Sequence, residues 1–413
     1  MNKEKRRVPK LRFPGFTEDW EQRKLGEYAN FRRGSFPQPY GNKEWYDGVG
    51  SAPFVQVVDV GDNLSLVDCT KQRISKLAQP MSVYAEKGSV LVTLQGSIGR
   101  VAVSQYDAFI DRTILIFQGY KYKTNSYFWA YIIKNKFSEE ALKAPGGTIK
   151  TITKEALSNF IILYPKFSEQ EQIGLFFEKL DKLITLHQRK LEHLNLKKKA
   201  LLQKLFPKNG ERYPEIRFPG FTDAWEQRKL NEFLSVSNFK NTDNKYNKNN
   251  VLSVSGDYGI VNQIEFQGRS FAGVSVSNYG VVETGDIVYT KSPLKLNPYG
   301  IIKANRINAG IVSTLYAIYK TKKNCDSKFI EHYFNLDSRL NKYLKPLVNK
   351  GAKNDMKVSS ENALIGEVCF PHVTEQKLIA DFLDRLGLFI TLHQRKLEHL
   401  QLQKKALLQQ MFV

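Results

Sequence analysis

The chain has 413 residues, of which 62 are Lys or Arg and 41 are Asp or Glu, giving a formal net charge of +21. This length allows two domains of ordinary size, and a hydrophobic content of 42% excludes wholesale disorder. A field this positive attracts polyanions. Nucleic acid, a membrane surface and an acidic protein are all candidate partners, and nucleic acid is favoured.

Cysteine content and the N-terminal segment indicate the compartment. Cys69, Cys325 and Cys369 lie far apart in no CxxC spacing, which favours neither a disulfide framework nor a zinc site and suits a reducing cytosol. The N-terminus MNKEKRRVPK is charged and has no apolar stretch behind it, so no signal peptide is predicted. The longest obvious apolar run, Phe160–Tyr164, is too short to span a bilayer. We expect a soluble, cytoplasmic protein.

The first predicted element is a lead motif, RFPGFT at 12–17 followed by WEQRKL at 20–25. We interpret its Trp20 as part of a packing turn against the helices, and a base-stacking platform is the alternative. A variable region, 26–165, follows and ends in a short strand at Pro165. Its other predicted elements are strands at Phe54–Val60, Gly88–Thr93 and Ile114–Phe117, a helix at Ser126–Asn135, and a loop at Gly146-Gly147.

A long helix is predicted next, between Pro165 and Pro207. Its apolar positions alternate at spacings of four and three residues, the period of a coiled-coil seam. The seam residues are Ile173, Phe177, Leu180, Ile184, His187, Leu191, Leu194, Lys198, Leu201 and Leu205.

The same order of elements then returns in the second half of the chain. RFPGFT and WEQRKL recur at 217–222 and 225–230, before a variable region at 231–371 that shares little sequence with the first. Its predicted elements are a strand at Gly285–Thr290, a helical stretch at Asp326–Leu344 and a strand ending at Pro371. The second seam consists of Ile379, Leu383, Leu386, Ile390, His393, Leu397, Leu400, Lys404, Leu407 and Met411.

The repeat predicts an α+β protein with two globular domains at 1–165 and 207–371 and two helices at 166–206 and 372–413. Because the two seams are nearly identical, we expect the helices to form a coiled coil with each other. An antiparallel, pseudo-two-fold arrangement is preferred, since it relates two like units. The alternatives are parallel pairing and separate packing of each helix on its own domain. The polar seam residues His187, Lys198, His393 and Lys404 are expected to fix the register.

A constant frame around two variable regions resembles the specificity (S) subunit of bacterial type I restriction-modification systems. RFPGFT…WEQRKL before each region and LHQRKLEHL after it carry the resemblance along the whole chain. Arg33-Gly34-Ser35, Tyr46-Asp47-Gly48 and Pro53-Phe54 look like the opening of a target-recognition domain of that family. The Asn- and Lys-rich segment Lys240–Asn250 departs from this opening and resembles another subtype.

The resemblance implies a non-catalytic role. Each recognition domain would recognise one half of a bipartite, asymmetric DNA site, and the helices would space the two halves. Two methylation subunits, which use S-adenosylmethionine for N6-adenine methylation, would bind the chain. ATP-driven restriction subunits, dependent on Mg, would join them to cleave unmodified DNA. The chain itself is expected to hold no cofactor.

The motifs argue against catalysis in this chain. No GxxxxGK[ST] loop occurs, and Asn297-Pro298-Tyr299-Gly300 lacks the second proline of an adenine methyltransferase motif. Glu375-Gln376-Lys377 has the E-x-K form of some nuclease sites, but it lies at a helix start, where an acidic residue caps favourably. The helical histidines recur at spacing six, which does not suit a metal pair. A stand-alone DNA-binding adaptor and a fusion enzyme remain the competing classes.

DNA contacts are expected from clusters of basic and amide side chains on loops, because phosphates attract Lys and Arg and base edges suit forked or amide groups. In the first domain the candidates are Arg32, Arg33, Gln38, Gln95, Ser97, Arg100, Lys143 and Lys150. In the second they are Lys240, Asn241, Lys245, Asn247, Lys248, Lys291, Lys295, Asn297, Lys350, Lys353 and Asn354. For any single residue, a solvated surface side chain is the alternative interpretation.

Overall fold

A computed structural model of the chain describes residues 7–143, 152–208, 210–291, 293–294, 296–348 and 358–412, without the side chain of Lys143. The chain forms two compact units. The first comprises Met1–Arg189 with Gln394–Val413, and the second comprises Lys190–His393. Both boundaries fall in the middle of a long helix, so each unit contains a part of both helices.

The first unit is a β-rich domain followed by a long helix. Its strands are β1 (Glu21–Lys24), β2 (Ala29–Arg33), β3 (Ala52–Val55), β4 (Gln72–Ile74), β5 (Val83–Ala85), β6 (Val90–Thr93), β7 (Val101–Val103), β8 (Ala108–Ile110), β9 (Ile114–Tyr120) and β10 (Ile161–Tyr164). Its helices are α1 (Leu25–Tyr28), α2 (Ser126–Lys143), α3 (Lys154–Ser158) and α4 (Phe167–Lys204), of which α4 continues into the second unit.

A four-stranded antiparallel sheet, ordered β2-β9-β6-β7, is the centre of the first unit. Its central strand β6 is buried on both faces, which explains an unbroken apolar run in the sequence. Val90 and Val92 share a core with Phe128 and Trp129 of α2, whereas Leu91 points into a core shared with the second sheet, β4-β3-β8-β5. The sheet is therefore fixed between a helix and a second sheet.

The second unit repeats this central sheet with different surroundings. Its strands are β11 (Glu226–Lys229), β12 (Leu234–Val236), β13 (Leu252–Ser255), β14 (Gly259–Asn262), β15 (Gly280–Val282), β16 (Ile287–Thr290), β17 (Ile301–Ala304), β18 (Gly310–Val312), β19 (Tyr316–Thr321) and β20 (Glu367–Phe370). Its helices are α5 (Gln263–Gln267), α6 (Ser327–Phe334), α7 (Asp337–Leu344) and α8 (Val373–Met411). The order β12-β19-β16-β17 matches β2-β9-β6-β7, but two-stranded pairs, β13-β14 and β15-β18, replace the second sheet.

Most predicted elements are present, and the α+β class with two long helices that pack together is confirmed. The strand predicted at Phe54–Val60 is wrong, because β3 ends at Val55 and Val57–Asp59 forms a 3₁₀ turn. The buried Asp59 carboxylate accepts a hydrogen bond from the backbone N–H of Gln56 (2.9 Å), which turns the chain at this point. The helical stretch Asp326–Leu344 is divided into α6 and α7.

The two long helices run antiparallel in the first unit. Phe177 of α4 contacts Phe412 (ring centroids 5.8 Å apart), and Asp181, one turn later, pairs with Lys404 (2.5 Å), which lies two turns earlier than Phe412. Phe412 also contacts Trp20 and stacks on Phe128, with ring centroids 6.3 and 5.6 Å apart. The end of the second long helix thus completes the core of the first unit.

The second unit has the same antiparallel arrangement. Leu205 and Phe206, beside the end of α4, share a core with Ile379 near the start of α8, and Lys198 lies beside Gly387. Parallel pairing and separate packing of each helix are therefore wrong. Every predicted seam residue is buried or half-buried. The polar positions differ between the units, because Lys404 has Asp181 as its partner whereas Lys198 faces a glycine.

A buried ion pair joins each lead motif to the start of the long helix that follows its domain. Arg12 donates two hydrogen bonds to Glu169 (2.6 and 2.7 Å), and Arg217 donates two to Glu375 (both 2.8 Å). Both carboxylates are 1% exposed, and the hydrogen bond to Glu169 raises the pKa of Arg12. A bidentate guanidinium–carboxylate pair fixes the direction of both partners. Glu375 is therefore one partner of a buried ion pair as well as a residue at a helix start.

The tryptophans of the lead motifs are packing residues. Trp20 is 1% exposed and Trp225 is fully buried, so neither ring can stack on a base. Trp20 contacts Phe128 of α2, and Trp225 contacts Phe206 and Phe329. The interpretation of FPGF…W as a packing turn is confirmed.

Replacing Arg12 by Ala is expected to lower the free energy of unfolding of the first unit by roughly 2–3 kcal/mol, because Glu169 would remain buried without its partner. Urea titration followed by tryptophan fluorescence measures this change. Lys166→Ala is the matched control. It breaks the exposed Lys166–Glu18 pair and should cost less than about 1 kcal/mol. Equal losses in the two variants would contradict a structural role for the buried pair.

Candidate nucleic-acid interface

Three loops of the first unit meet at one end of its central sheet. Strands β2 and β6 both run antiparallel to β9, so the ends of β2 and β6 lie beside the start of β9. The register pairs Arg33 with Leu115 and Thr93 with Ile114. We define the residues 33–35, 94–95 and 111–113 as the first loop cluster.

Backbone hydrogen bonds hold the first loop cluster together. The Gly34 amide donates to the Ile114 carbonyl, and the Leu94 amide donates to the Thr113 carbonyl, both at 2.8 Å. A Cβ atom at Gly34 would lie 2.3 Å from the carbonyl oxygens of Ile110 and Asp111. Only glycine therefore allows this close approach of the two backbones.

The first loop cluster surrounds a recess of about 350 Å³ lined by Arg33, Gly34, Gln95 and Arg112. The structure thus brings together Arg33 and Gln95, two candidates from the sequence that are 62 positions apart in the chain. Arg112 was missed by the sequence analysis. Its signal was an arginine two residues before the predicted strand at Ile114, where a loop leads into a buried strand.

The guanidinium carbon of Arg112 lies over the ring of Tyr40, 5.1 Å from its centroid. The Tyr40 hydroxyl donates a hydrogen bond to the buried carboxylate of Asp111 (2.8 Å) and accepts one from the side-chain amide of Gln56 (3.1 Å). Burial, together with the hydrogen bond to Asp111, raises the pKa of Tyr40 to about 12. The hydroxyl therefore remains a donor at neutral pH, and the ring keeps a fixed orientation under Arg112.

The other candidates of the first domain have different surroundings. Arg32 is exposed at the end of β2 and, with Arg33 and Lys154, lines a second recess of about 290 Å³ with an apolar floor. Gln38 and Ser97 are exposed. Arg100 is engaged within the protein by Asp62 (3.0 Å) and the Val60 carbonyl. The side chain of Lys143 and all of Lys150 lie outside the described residues.

The matching sheet of the second unit has an equivalent loop cluster at the same end. The Lys291 amide donates to the Leu315 carbonyl (3.3 Å), and the Ser237 amide donates to Ile318 (2.8 Å), so the loops after β16 and β12 lie beside the start of β19. Lys291, in this cluster, is half-buried, and the candidates Lys240, Lys245, Asn247 and Lys248 are exposed on the segment between β12 and β13. Lys295, Lys350, Lys353 and Asn354 lie outside the described residues.

Two asparagines that the sequence predicts as DNA contacts are buried in the structure. Asn241 has no exposed surface, and its amide group bonds to the backbone of Tyr246 and Val276. Asn297 is 8% exposed and donates to Asp337 (2.8 Å). Their burial argues against the predicted DNA contacts. Both side chains order their loops from within, as amide groups in turns commonly do.

Exposed apolar residues recur on the long helices at positions equivalent in the repeat. We define Leu183 and Leu186 of α4 as the first helix patch, and Phe389 and Leu392 of α8 as the second helix patch. Their exposed fractions are 38, 64, 59 and 51%. Exposed apolar side chains at helical spacing favour a protein-binding surface.

Within the described parts of the chain, no group of three or more His, Cys, Asp or Glu residues could hold a metal ion. None of the helices found there is both long enough and apolar enough to cross a membrane.

Three comparisons relate the chain to known proteins. The family model for the type I restriction modification DNA specificity domain matches residues 17–196. The type I restriction enzyme MjaVIII specificity subunit of Methanocaldococcus jannaschii is 23% identical, over 96% of this chain and 92% of that protein. The putative MjaX specificity subunit of the same organism is 22% identical, over 95 and 92%.

The crystal structure of a type I restriction-modification S subunit from M. genitalium has the same fold. It matches with a TM-score of 0.61 at 14% sequence identity, over 98% of this chain and 99% of that one. The curated relatives are archaeal, so the bacterial origin expected from the sequence stays a prediction.

Gly34→Ala is expected to push the loop at 33–35 away from residues 110–111 and to cost roughly 1–3 kcal/mol, because the new methyl group would overlap the carbonyl oxygens of Ile110 and Asp111. Thermal unfolding and faster amide exchange at Leu94 measure the effect. Gly41→Ala is the control, since nothing lies within 4 Å of its Cβ position. Unchanged exchange at Leu94 in the Gly34 variant would show that the cluster does not depend on this close approach.

Proposed function

We infer that this chain, which belongs to the family of type I restriction-modification DNA specificity subunits, recognises an asymmetric, bipartite DNA target and directs partner subunits to it. By family it is a non-catalytic subunit with a role in target recognition. In this proposal each loop cluster contacts one half of the target. The partners are methylation subunits, which modify adenine at N6, and restriction subunits, which cleave unmodified DNA.

The observation that carries the proposal is the repeated loop cluster with different side chains. Both clusters lie at the same end of sheets with the same strand order. The first offers Arg33, Gln95 and Arg112, whereas the second has Lys291, and its unit also exposes Lys240, Asn247 and Lys248 between β12 and β13. Guanidinium and amide groups suit different base edges. Two sheets of the same strand order whose loops carry different side chains therefore support recognition of two different half-sites.

The surrounding basic residues support binding to the DNA backbone. Arg32 and Lys154 line the recess beside the first loop cluster, and Lys245 is exposed between β12 and β13 of the second unit. Lys and Arg on loops neutralise phosphates and fix orientation without specifying sequence. The net charge of +21 suits such a polyanion. Gln38, Ser97, Lys143, Lys150, Lys291, Lys295, Lys350, Lys353 and Asn354 remain proposed contacts.

The helix patches support binding of two methylation subunits, one at each patch. The patches are equivalent in the repeat, so two copies of one partner can use the same contacts. S-adenosylmethionine belongs to these partners, and ATP and Mg belong to the restriction subunits. We keep the domain boundaries 1–165, 166–206, 207–371 and 372–413 as a proposal. We also propose a cytoplasmic location, since the DNA target and the partners are there.

Methyl transfer tests the function directly. The purified chain alone should transfer no methyl group, whereas its complex with the methylation subunits encoded beside it should modify adenines. Mapping of N6-methyladenine should then give one asymmetric site with two separated halves. Methyl transfer by the isolated chain, or a continuous palindromic site, would contradict the proposal.

Changing Phe389 and Leu392 together to Glu should remove one of two methylation subunits from the co-purified complex, because charged side chains cannot be buried against an apolar partner surface. Native mass spectrometry counts the subunits. Val49→Glu is the matched control, since Val49 is also exposed and apolar but lies in a loop. A complex that keeps both copies would show that the second helix patch does not bind this partner.

A further inference from the structure

Three side chains in the recess of the first loop cluster have donors directed to solvent. Arg33, Gln95 and Arg112 are all exposed, and within the described residues none of these side chains makes a hydrogen bond or an ion pair. Other arginines of this unit are engaged, for example Arg100 with Asp62 and Arg73 with Ser51. The recess therefore presents hydrogen-bond donors that the protein itself does not satisfy.

The two guanidinium groups define the chemistry of a matching ligand. Both are positively charged hydrogen-bond donors with no acceptor atom. A ligand that fills this recess must therefore present acceptor atoms. In double-stranded DNA these are phosphate oxygens or the acceptor pair O6 and N7 of guanine in the major groove.

The surroundings of Arg112 favour a base edge over a phosphate. Its guanidinium lies over the Tyr40 ring, and Tyr40 is held by Asp111 and Gln56. Stacking leaves the in-plane N–H groups of a guanidinium free to donate while it restricts the orientation of the plane. A fork held in one orientation matches the adjacent O6 and N7 atoms of guanine, whereas phosphate binding, which the same fork can also provide, requires no fixed orientation.

The loop backbone adds a second constraint. Arg112 lies between Asp111 and Thr113, whose backbone groups are tied to Val55 (3.0 Å) and Leu94 (2.8 Å). Thr113 Oγ1 also donates to the Asp111 carboxylate (2.5 Å). Arg33, by contrast, lies at the rim of both recesses and has no stacked partner among the described residues. The most restricted of the three side chains is therefore Arg112.

We propose that Arg112 recognises a guanine in the first half-site by donating two hydrogen bonds to its O6 and N7 atoms, with Tyr40 as the positioning residue. This inference rests on the proposed function, because it assigns one base to a DNA-binding surface. Arg33 contributes charge at the rim and does not set the base preference.

The experiment uses the complex of the full chain with its co-purified methylation subunits. The probe is a duplex carrying the mapped target, with each base pair of the first half-site replaced in turn. The wild-type complex should require a G·C pair at one position. Arg112→Ala should reduce the preference for that pair about tenfold or more, the size of one lost bidentate contact, and leave the second half-site unchanged.

Arg112→Lys separates the fork from the charge. A lysine keeps the positive charge but not the planar pair of donors, so its base preference should be lost as in Arg112→Ala. Tyr40→Ala should weaken the same preference, and Tyr40→Phe, which keeps the ring, should retain most of it. Arg23→Ala is the control, because Arg23 lies on β1 and bonds to Tyr164, outside the first loop cluster.

Two outcomes would overturn the proposal. If Arg112→Ala weakened binding to all sequences equally and reduced the salt dependence, Arg112 would be a phosphate contact. Unchanged preference in both Arg112 variants would show that it does not touch DNA. Retained selection in the second half-site shows that a variant is folded. A wild-type complex without a bipartite target would instead contradict the proposed function.

Discussion

The buried ion pairs Arg12–Glu169 and Arg217–Glu375 determine how each domain is closed. Each pair joins residues about 157 positions apart, so it connects the beginning of a domain to the helix that follows it. The short strand pairs β1-β10 and β11-β20 lie beside these ion pairs and link the same two segments. Everything between them can vary, provided that its ends return to this point. This constraint explains why the frame is repeated almost unchanged while the enclosed sequences differ.

A common frame also explains why the central sheets agree without sequence similarity. The order β2-β9-β6-β7 recurs as β12-β19-β16-β17, although the second sheet of the first unit has no four-stranded counterpart among the described residues of the second. The same end of each sheet carries the exposed loops. A change of side chains in these loops therefore alters what is contacted without changing the direction in which the surface points relative to its own helix.

The features that could be predicted from the sequence are those that produce a local periodicity or an exact repeat. The seam of α4 and α8 follows from spacings of four and three, and the two-unit plan follows from identical motifs. The Arg12–Glu169 pair could not be found this way, since a helix start explains Glu169 equally well. Arg33 and Gln95 were found because they adjoin glycines in polar loops. Arg112 was missed because it adjoins no glycine, and its position shortly before a buried strand is a weak signal. The contact predicted for Asn241 was wrong, because an amide residue in a loop has the same sequence pattern whether its side chain faces solvent or folds inward.

The position of Phe412 has a consequence for biosynthesis. Its ring lies among Trp20, Phe128, Tyr131 and Phe177, so the core of the first unit includes residues translated after the entire second unit. The β-strands of the first unit leave the ribosome early, but their apolar cluster stays open until 394–412 has been synthesised. A nascent chain interrupted within the second unit would expose Trp20 and Phe128 to solvent and to chaperones. Completion of translation is thereby coupled to completion of the core that supports the first loop cluster.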